Sequence, residues 1–242
     1  MATAKSLIRS PFASLSSSFM FKSSPPPLPC RPHRLRVCCS SIQKTLTEVD
    51  SSGVIACLRA NSAELAFEAA CAALEGGISV LEIVMSTPGV FEVLQQLVHI
   101  YPTRVLGVGT VLNIEDAERA VTAGAKFFMS PVIVKILSAY DAGAKIVKIY
   151  PVSALGGIHY ISAIKKPFPH ISMVASQGIT IGSAGEYIAK GASSVVLSDA
   201  IFDKEAMGQK NFNRIHQLAN MAALQCKEAV DRKKNLMLIN NL

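Results

Sequence analysis

The sequence has little of what marks several common protein classes. Six of its 242 residues are cysteine, 6% are aromatic and none is tryptophan, and no unbroken apolar run reaches the length of a membrane span. The few cysteines argue against a disulfide scaffold, and the short apolar runs argue against a transmembrane helix or a membrane partner. Half of the residues are apolar, which excludes a disordered chain. One globular domain of about 200 residues fits this composition.

Acidic residues are absent before Glu48, whereas seven basic residues precede it. The rest of the chain then carries 17 basic and 17 acidic residues, and such a balance predicts no nucleic-acid partner. The basic segment is rich in serine and arginine, is typical of an organelle transit peptide and resembles plant plastid leaders. We predict a disordered, cleaved leader at 1–46, a folded domain at 47–242 and a chloroplast location. A mitochondrial address and a permanently attached tail are the alternatives.

Beyond the leader, short apolar runs alternate with amphipathic stretches. Several of these stretches end at a glycine, such as Gly124 or Gly143, that leads into the next run. Such alternation predicts a parallel sheet covered by helices, either open and doubly wound or closed as a (β/α)₈ barrel. Seven strands are predicted, at 54–58, 80–84, 105–108, 126–129, 145–149, 172–175 and 194–197.

Polar residues follow or end many different strands, which favours the barrel. An open sheet concentrates its chemistry at one switch point, whereas a barrel draws it from many strand ends. The first strand also runs into 57–60 without a glycine-rich phosphate turn. We therefore predict a TIM-type (β/α) barrel. The residues in question are Glu82, Thr110, Ser130, Lys148 and Ser176.

Two charged residues interrupt apolar strands. Lys148 stands between Ile and Val residues, and period-two alternation puts it on the same face as Ile146 and Tyr150. Burial of an ammonium is costly and is relieved by a lowered pKa, which yields the neutral amine that a Schiff base requires. Glu82 is the opposite anomaly and is able to pair with Lys148 across the lumen and move protons. A structural ion pair or a solvent-reaching lysine is the alternative.

Cysteines and histidines give no metal-binding pattern. Cys57, Cys71 and Cys226 are scattered and are predicted to be small core residues. The histidines are dispersed as well, which weakens a barrel of another class, such as a metal-dependent epimerase or a thiamin-phosphate-forming enzyme. No metal or cofactor is predicted.

Five motifs occur in a fixed order, at 77–82, 107–112, 129–131, 147–151 and 155–157. Together they resemble the class I KDPG/KHG aldolases over about residues 48–205. These enzymes cleave 2-keto-3-deoxy-6-phosphogluconate or 4-hydroxy-2-oxoglutarate to pyruvate and an aldehyde, which is glyceraldehyde 3-phosphate or glyoxylate. The resemblance implies a small keto-acid substrate, no cofactor and a homotrimer.

The same resemblance assigns roles to individual residues. Lys148 would attack the keto carbon and form the imine, and Glu82 would relay protons. Thr110 would contact the pyruvyl part, while Pro131 and Tyr150 would wall the pocket. The remaining substrate contacts would come from Arg59, Ser86, Gly156, Gly157, Ser176, Gly178 and Ser198.

Several positions depart from the family pattern. Ser86 replaces an arginine that holds the substrate carboxylate, and Arg59 is the possible substitute anchor. A Thr-Gly-Gly-Ile phosphate segment reads Ser-Gln-Gly-Ile at 176–179, and a Gly-Gly-Ser reads Leu-Ser-Asp at 197–199. A carboxylate repels a phosphate, and lost glycines prevent close backbone approach. We therefore expect an unphosphorylated keto acid, although Gly156 and Gly157 remain able to hold an anion.

Seven strands are one short of a closed barrel of this type. Compared with the family, the chain is about two dozen residues short between Ser130 and Lys148, which corresponds to a missing fifth βα unit. We expect Lys148 to be displaced from Glu82 by one strand spacing, about 4.8 Å, with lower stability and activity. The alternative function is an impaired splice or gene-model isoform that only associates with full-length subunits.

Overall fold

The computed structural model describes residues 39–130 and 136–239. Most of the expected leader and Pro131 therefore lie outside the described residues. The strands are β1 Val54–Leu58, β2 Val80–Val84, β3 Val105–Gly109, β4 Phe127–Met129, β5 Val147–Ile149, β6 Met173–Ser176 and β7 Ser194–Leu197. The helices are α1 Cys39–Ser52, α2 Ala63–Glu75, α3 Val90–Ile100, α4 Ile114–Thr122, α5 Ile136–Asp141, α6 Gly157–Lys165, α7 Ile181–Ala189, α8 Lys204–Gly208 and α9 Phe212–Ile239.

All seven strands form one parallel sheet in the order β4-β3-β2-β1-β7-β6-β5. This confirms the predicted TIM-type (β/α) architecture with seven strands, but the sheet is open. Its two edges are β4 and β5, and no ladder joins them among the described residues. The opening lies between β4 and β5, where we predict a missing βα unit.

The curled sheet has an apolar core on each face. Inside the curl, buried valine and isoleucine side chains from five strands pack together, with the partly buried Cys57, Phe127, Met129 and Ile146 against them. Outside it, the alternate strand residues pack against the helices in a larger cluster. The period-two alternation of the strands thus fixes which residues face the lumen. The buried inner residues are Val49, Ile55, Val80, Val105, Val174 and Val196.

Helix α1 begins inside the range predicted as a disordered leader. It starts at Cys39, so residues 39–46 are helical. Further along it, Val49 is buried among the strand residues of the inner cluster. The basic, serine-rich composition of the leader did not indicate this helix, because Val49, the apolar residue that anchors it, lies after the last basic residue of the leader. The cleavage site stays a prediction.

The longest helix is α9, with 28 residues. It packs against α2, α7 and α1 and buries Ile215, Ala219, Ala222 and Cys226 on one side. Within the described ranges, no helix combines the length and the apolar character needed to cross a bilayer.

Candidate active site

Lys148 and Glu82 meet inside the curled sheet. Lys148 is the central residue of β5 and Glu82 the central residue of β2, and Lys148 Nζ lies 3.2 Å from Glu82 Oε1. The Glu82 side chain is 2% exposed and that of Lys148 is 24% exposed. The flanking Val147 and Ile149 pack in the outer core, as the alternation predicts. The side chain of Lys148 therefore reaches the lumen, while the side chains of its two neighbours pack in the outer core.

The predicted displacement of Lys148 from Glu82 is wrong. Five strands, in the order β2-β1-β7-β6-β5, connect the two residues through unbroken ladders. The opening lies on the other side of the ring, between β4 and β5. Because these ladders do not pass through the opening, they hold Lys148 within contact distance of the Glu82 carboxylate.

The Glu82 carboxylate is tightly confined. Its Oε1 accepts hydrogen bonds from Lys148 Nζ at 3.2 Å and from the Cys57 thiol at 3.1 Å. A Cβ added to Gly109 would stand 2.5 Å from the same oxygen, so the glycine leaves room that any other residue would fill. Glu82 Oε2 is buried and has no hydrogen-bond partner among the described residues. One carboxylate oxygen is thus held, and the other remains able to accept a proton.

Cys57 is a site residue that the sequence analysis missed. Cys226 is fully buried in the outer core, as predicted. Cys57 instead lies on the lumen side of β1 and pairs with Glu82 in the β1–β2 ladder. Burial and the neighbouring carboxylate of Glu82 raise the pKa of the Cys57 thiol, so it remains a protonated donor at neutral pH. The register of the parallel β1–β2 ladder, which pairs Cys57 with Glu82, was the signal that would have placed Cys57 in the site.

Other predicted residues lie at the carboxyl edge of their strands. Thr110 directly follows β3 and has a left-handed backbone, with φ of 64°. Ser176 ends β6 and is buried, while Ser198 directly follows β7. Arg59 follows β1 and Ser86 lies in the turn after β2, and both are exposed. These residues share one rim, and among the described residues no hydrogen bond or ion pair joins them to the Lys148–Glu82 pair.

The remaining predicted contacts lie near β5 and β6. Gly156 caps α6 and Gly157 begins it, both with positive φ. Gly178 has φ of 73°, and a Cβ there would stand 2.6 Å from Ser153 Cβ. Tyr150, expected to wall the pocket, is 64% exposed because β5 is an edge strand.

A second pair missed by the sequence analysis lies at this rim. The Ser153 hydroxyl donates to Gln177 Oε1 at 2.6 Å. Gln177 has φ of 82°, a backbone conformation that is strained for a residue with a side chain. The bond orients the glutamine amide at the position where the family pattern has glycine. Loop conformation, which the sequence pattern does not encode, brings the two residues together.

The chemistry available here is that of an amine beside a carboxylate. Among the residues that the structure describes, no three His, Cys, Asp or Glu side chains are grouped so as to hold a metal ion. A lysine that reaches a carbonyl carbon and a glutamate that accepts protons suit imine formation and the cleavage of a neighbouring carbon–carbon bond.

Comparisons with known proteins agree with this geometry. The family model for KDPG and KHG aldolase matches residues 44–138 and 132–218. The 2-dehydro-3-deoxy-phosphogluconate aldolase of Dickeya dadantii is 26% identical over 67% of this chain and 86% of its own length. The KHG/KDPG aldolase of Escherichia coli K12 is 25% identical over 66% of this chain and 85% of its own.

The aligned stretches differ in length between the proteins. The alignment with the Dickeya dadantii protein is 184 residues long, yet it takes in 67% of this 242-residue chain, or about 162 residues. The relative therefore has about two dozen residues without a counterpart here.

Solved structures show the same fold. A KDPG aldolase from Legionella pneumophila, captured with pyruvate as a covalent carbinolamine, is 25% identical, with a TM-score of 0.67 over 74% of this chain and 97% of that one. The aldolase of Zymomonas mobilis ZM4 with 3-phosphoglycerate has a TM-score of 0.67 at 23% identity, over 75% of this chain and 96% of that one, which supports the fold. The chain belongs to the KDPG and KHG aldolase family.

Proposed function

We propose that this protein is a class I aldolase that cleaves a 2-keto-4-hydroxy acid to pyruvate and an aldehyde. The observation that carries the proposal is the contact of 3.2 Å between Lys148 Nζ and Glu82 Oε1 in a largely buried lumen. An amine poised beside a proton acceptor is what imine chemistry requires. Membership of the family supports the same reaction.

Lys148 and Glu82 divide the steps between them. The amine of Lys148 attacks the C2 carbonyl, and Glu82 passes the protons that convert the carbinolamine to a protonated imine and water. Glu82 then accepts the proton of the C4 hydroxyl as the C3–C4 bond breaks. The electron pair of that bond moves into the imine as an enamine, and the aldehyde leaves. Protonation at C3 and hydrolysis by water release pyruvate and restore the amine.

The proposed substrate is an unphosphorylated keto acid such as 4-hydroxy-2-oxoglutarate. Gln177 stands where the family has a glycine, and its side chain occupies the rim through the bond from Ser153. Asp199 is exposed beside Ser198 at the same rim, and its charge opposes a phosphate dianion. Arg59 supplies a cation for the substrate carboxylate, because Ser86 carries none.

The proposal also covers the architecture of the whole protein. The two family-model matches overlap at 132–138, and the relatives have about two dozen residues more across the alignment. Both features support a missing fifth βα unit at the open edge. A homotrimer, as in the resembled family, and a plastid location directed by the basic leader complete the proposal. Mass photometry of the purified protein and imaging of a fluorescent fusion test these two points.

Borohydride trapping tests the chemistry directly. Incubation with pyruvate and borohydride is expected to modify Lys148 alone, as identified by peptide mapping. Lys148→Met abolishes the adduct, whereas Lys145→Met, at an exposed position in the same segment, retains it. A folded protein that forms no adduct at Lys148 would contradict the aldolase function and would support an isoform that only associates with other subunits.

A cleavage assay identifies the substrate. Release of pyruvate is measured with 4-hydroxy-2-oxoglutarate and with 2-keto-3-deoxy-6-phosphogluconate at equal concentrations. We expect the unphosphorylated acid to give the higher kcat/KM, and Gln177→Gly to shift the ratio toward the phosphorylated one. Preference of the unsubstituted protein for the phosphorylated acid would overturn the substrate assignment but leave the reaction class intact.

A further inference from the structure

Cys57 makes a direct contact with the proposed proton acceptor. Its thiol donates to Glu82 Oε1 over 3.1 Å, on the same oxygen that accepts from Lys148 at 3.2 Å. The two donors come from β1 and β5, which are separated in the sheet by β7 and β6. The carboxylate is therefore held at one oxygen from two directions.

The backbone determines this contact. Cys57 and Glu82 are direct partners in the β1–β2 ladder, so their side chains leave the sheet on the same face. On the other flank, the carboxylate occupies the space beside Gly109, where an added Cβ would stand 2.5 Å from Oε1. A donor at position 57 thus selects one orientation of the carboxylate, in which Oε2 has no hydrogen-bond partner among the described residues.

We infer that Cys57 is a positioning residue that holds Glu82 in the orientation required for proton transfer while Lys148 changes its bonding state. This inference rests on the proposed aldolase function. During the reaction, Lys148 becomes part of an imine and its nitrogen moves to the substrate carbon. The thiol then remains as the donor from the protein that keeps Oε1 in place, and Oε2 stays directed at the reacting hydroxyl.

The thiol suits this role because it stays protonated. Burial raises the pKa of the Cys57 thiol, and the carboxylate of Glu82 raises it further, while Lys148 lowers it. A thiolate beside Glu82 would repel the carboxylate instead of orienting it. The same effect makes the thiol a poor nucleophile at neutral pH, so Cys57 does not compete with Lys148 for the carbonyl.

Three variants separate donation from packing. Cys57→Ser keeps a donor, Cys57→Val keeps an apolar side chain without a donor, and Cys57→Ala removes both. We expect the Val and Ala variants to lower kcat by about tenfold, with KM nearly unchanged, and to move the acid limb of the pH–rate profile to higher pH. That shift arises because a carboxylate that loses a donor holds its proton more strongly. The Ser variant is expected to retain the unsubstituted profile.

Two outcomes of this experiment would overturn the inference. A Val variant with unchanged kcat and an unchanged acid limb would show that position 57 contributes packing alone. Reduced activity in all three variants, with no shift of the acid limb, would do the same.

Alkylation of the thiol tests the contact independently of activity. The rate of Cys57 labelling by iodoacetamide at pH 8 is measured by peptide mass spectrometry in the unsubstituted protein and in Glu82→Gln. Loss of the negative neighbour lowers the thiol pKa, and we expect labelling of Cys57 to rise by about tenfold. Cys71, which is half-buried on α2, serves as the internal control and keeps its rate.

The two measurements distinguish the two proposals. If pyruvate is not trapped but Cys57 labels faster in Glu82→Gln, the contact exists and the aldolase function fails. Equal labelling rates in a protein that does trap pyruvate overturn the positioning role and leave the aldolase function in place. If variants at position 57 do not fold, the labelling comparison still decides the inference, because it leaves Cys57 intact.

Discussion

Gly109→Ala separates the activity of the site from the stability of the fold. A Cβ at this position would lie 2.5 Å from Glu82 Oε1 and 2.8 Å from its Cδ. Gly109 is not among the residues with positive φ, so alanine brings no backbone strain. To restore a contact of 3.0 Å, the carboxylate must move by at least about 0.5 Å. A misplacement on the order of 1 Å costs about a hundredfold in rate.

The flexible end of a glutamate side chain absorbs such a clash at little cost to folding. We therefore expect kcat and the rate of borohydride trapping to fall by about 10- to 100-fold, while the free energy of unfolding falls by about 1 kcal/mol or less. Urea denaturation and the trapping assay on the same preparation measure both effects. Gly208→Ala, where a Cβ meets nothing within 4 Å, is the matched control.

Two outcomes would refute this reasoning. A Gly109→Ala protein with unchanged trapping would show that the carboxylate does not occupy the space beside Gly109. A loss of stability of about 3 kcal/mol or more would show that the strand itself is distorted, so that the loss of activity would not report on Glu82.

Three further predictions concern the fold. Thr180→Ala removes the capping box that Thr180 and Ser183 form at the start of α7, and we expect a loss of about 1 kcal/mol and about 3 °C in Tm, with Thr180→Ser near the unsubstituted value. Burial raises the pKa of Cys226 from 9.0 to about 12, so the folded protein binds the thiol proton more tightly than the unfolded chain does. The stability that this proton contributes is therefore lost as the pH rises from about 9 to 12. Urea titrations should therefore show a shallower loss of stability over that range in Cys226→Ala, by up to about 1.4 kcal/mol per pH unit, and equal slopes would contradict the assignment. Phe128 is 49% exposed on the edge strand β4, and Phe128→Glu should slow aggregation on heating, as seen by light scattering, more than Phe128→Leu does, because a charge blocks edge pairing.

Strands with mostly apolar runs were the most predictable part of the fold. The ranges 54–58, 80–84 and 194–197 agree with β1, β2 and β7 at both ends, because each is buried on both faces and the pattern does not depend on neighbours. Strands β4 and β5 are shorter than predicted, at three residues each. Both are edge strands, and their length depends on a partner that the sequence does not show.

The two charges of the site were visible in the sequence because each interrupts an apolar strand. Cys57 was not, since a thiol resembles a small apolar side chain until the register places it opposite Glu82. The bond from Ser153 to Gln177 depends on two loops that meet only in the folded protein. The predicted separation of Lys148 from Glu82 failed because a strand count carries no information on which side of the ring the opening lies.

The one-sided connection between β2 and β5 has a consequence for biosynthesis. Glu82 and Lys148 are 66 residues apart in the chain, and the ladders that hold them together run through β6 and β7, which are made after both. When Lys148 has just been synthesised, the strands β6 and β7 that bring it to Glu82 have thus not yet been translated. We expect products that terminate between Lys148 and Leu197 to retain both residues yet to form no adduct with pyruvate, so competence arises only near the end of translation.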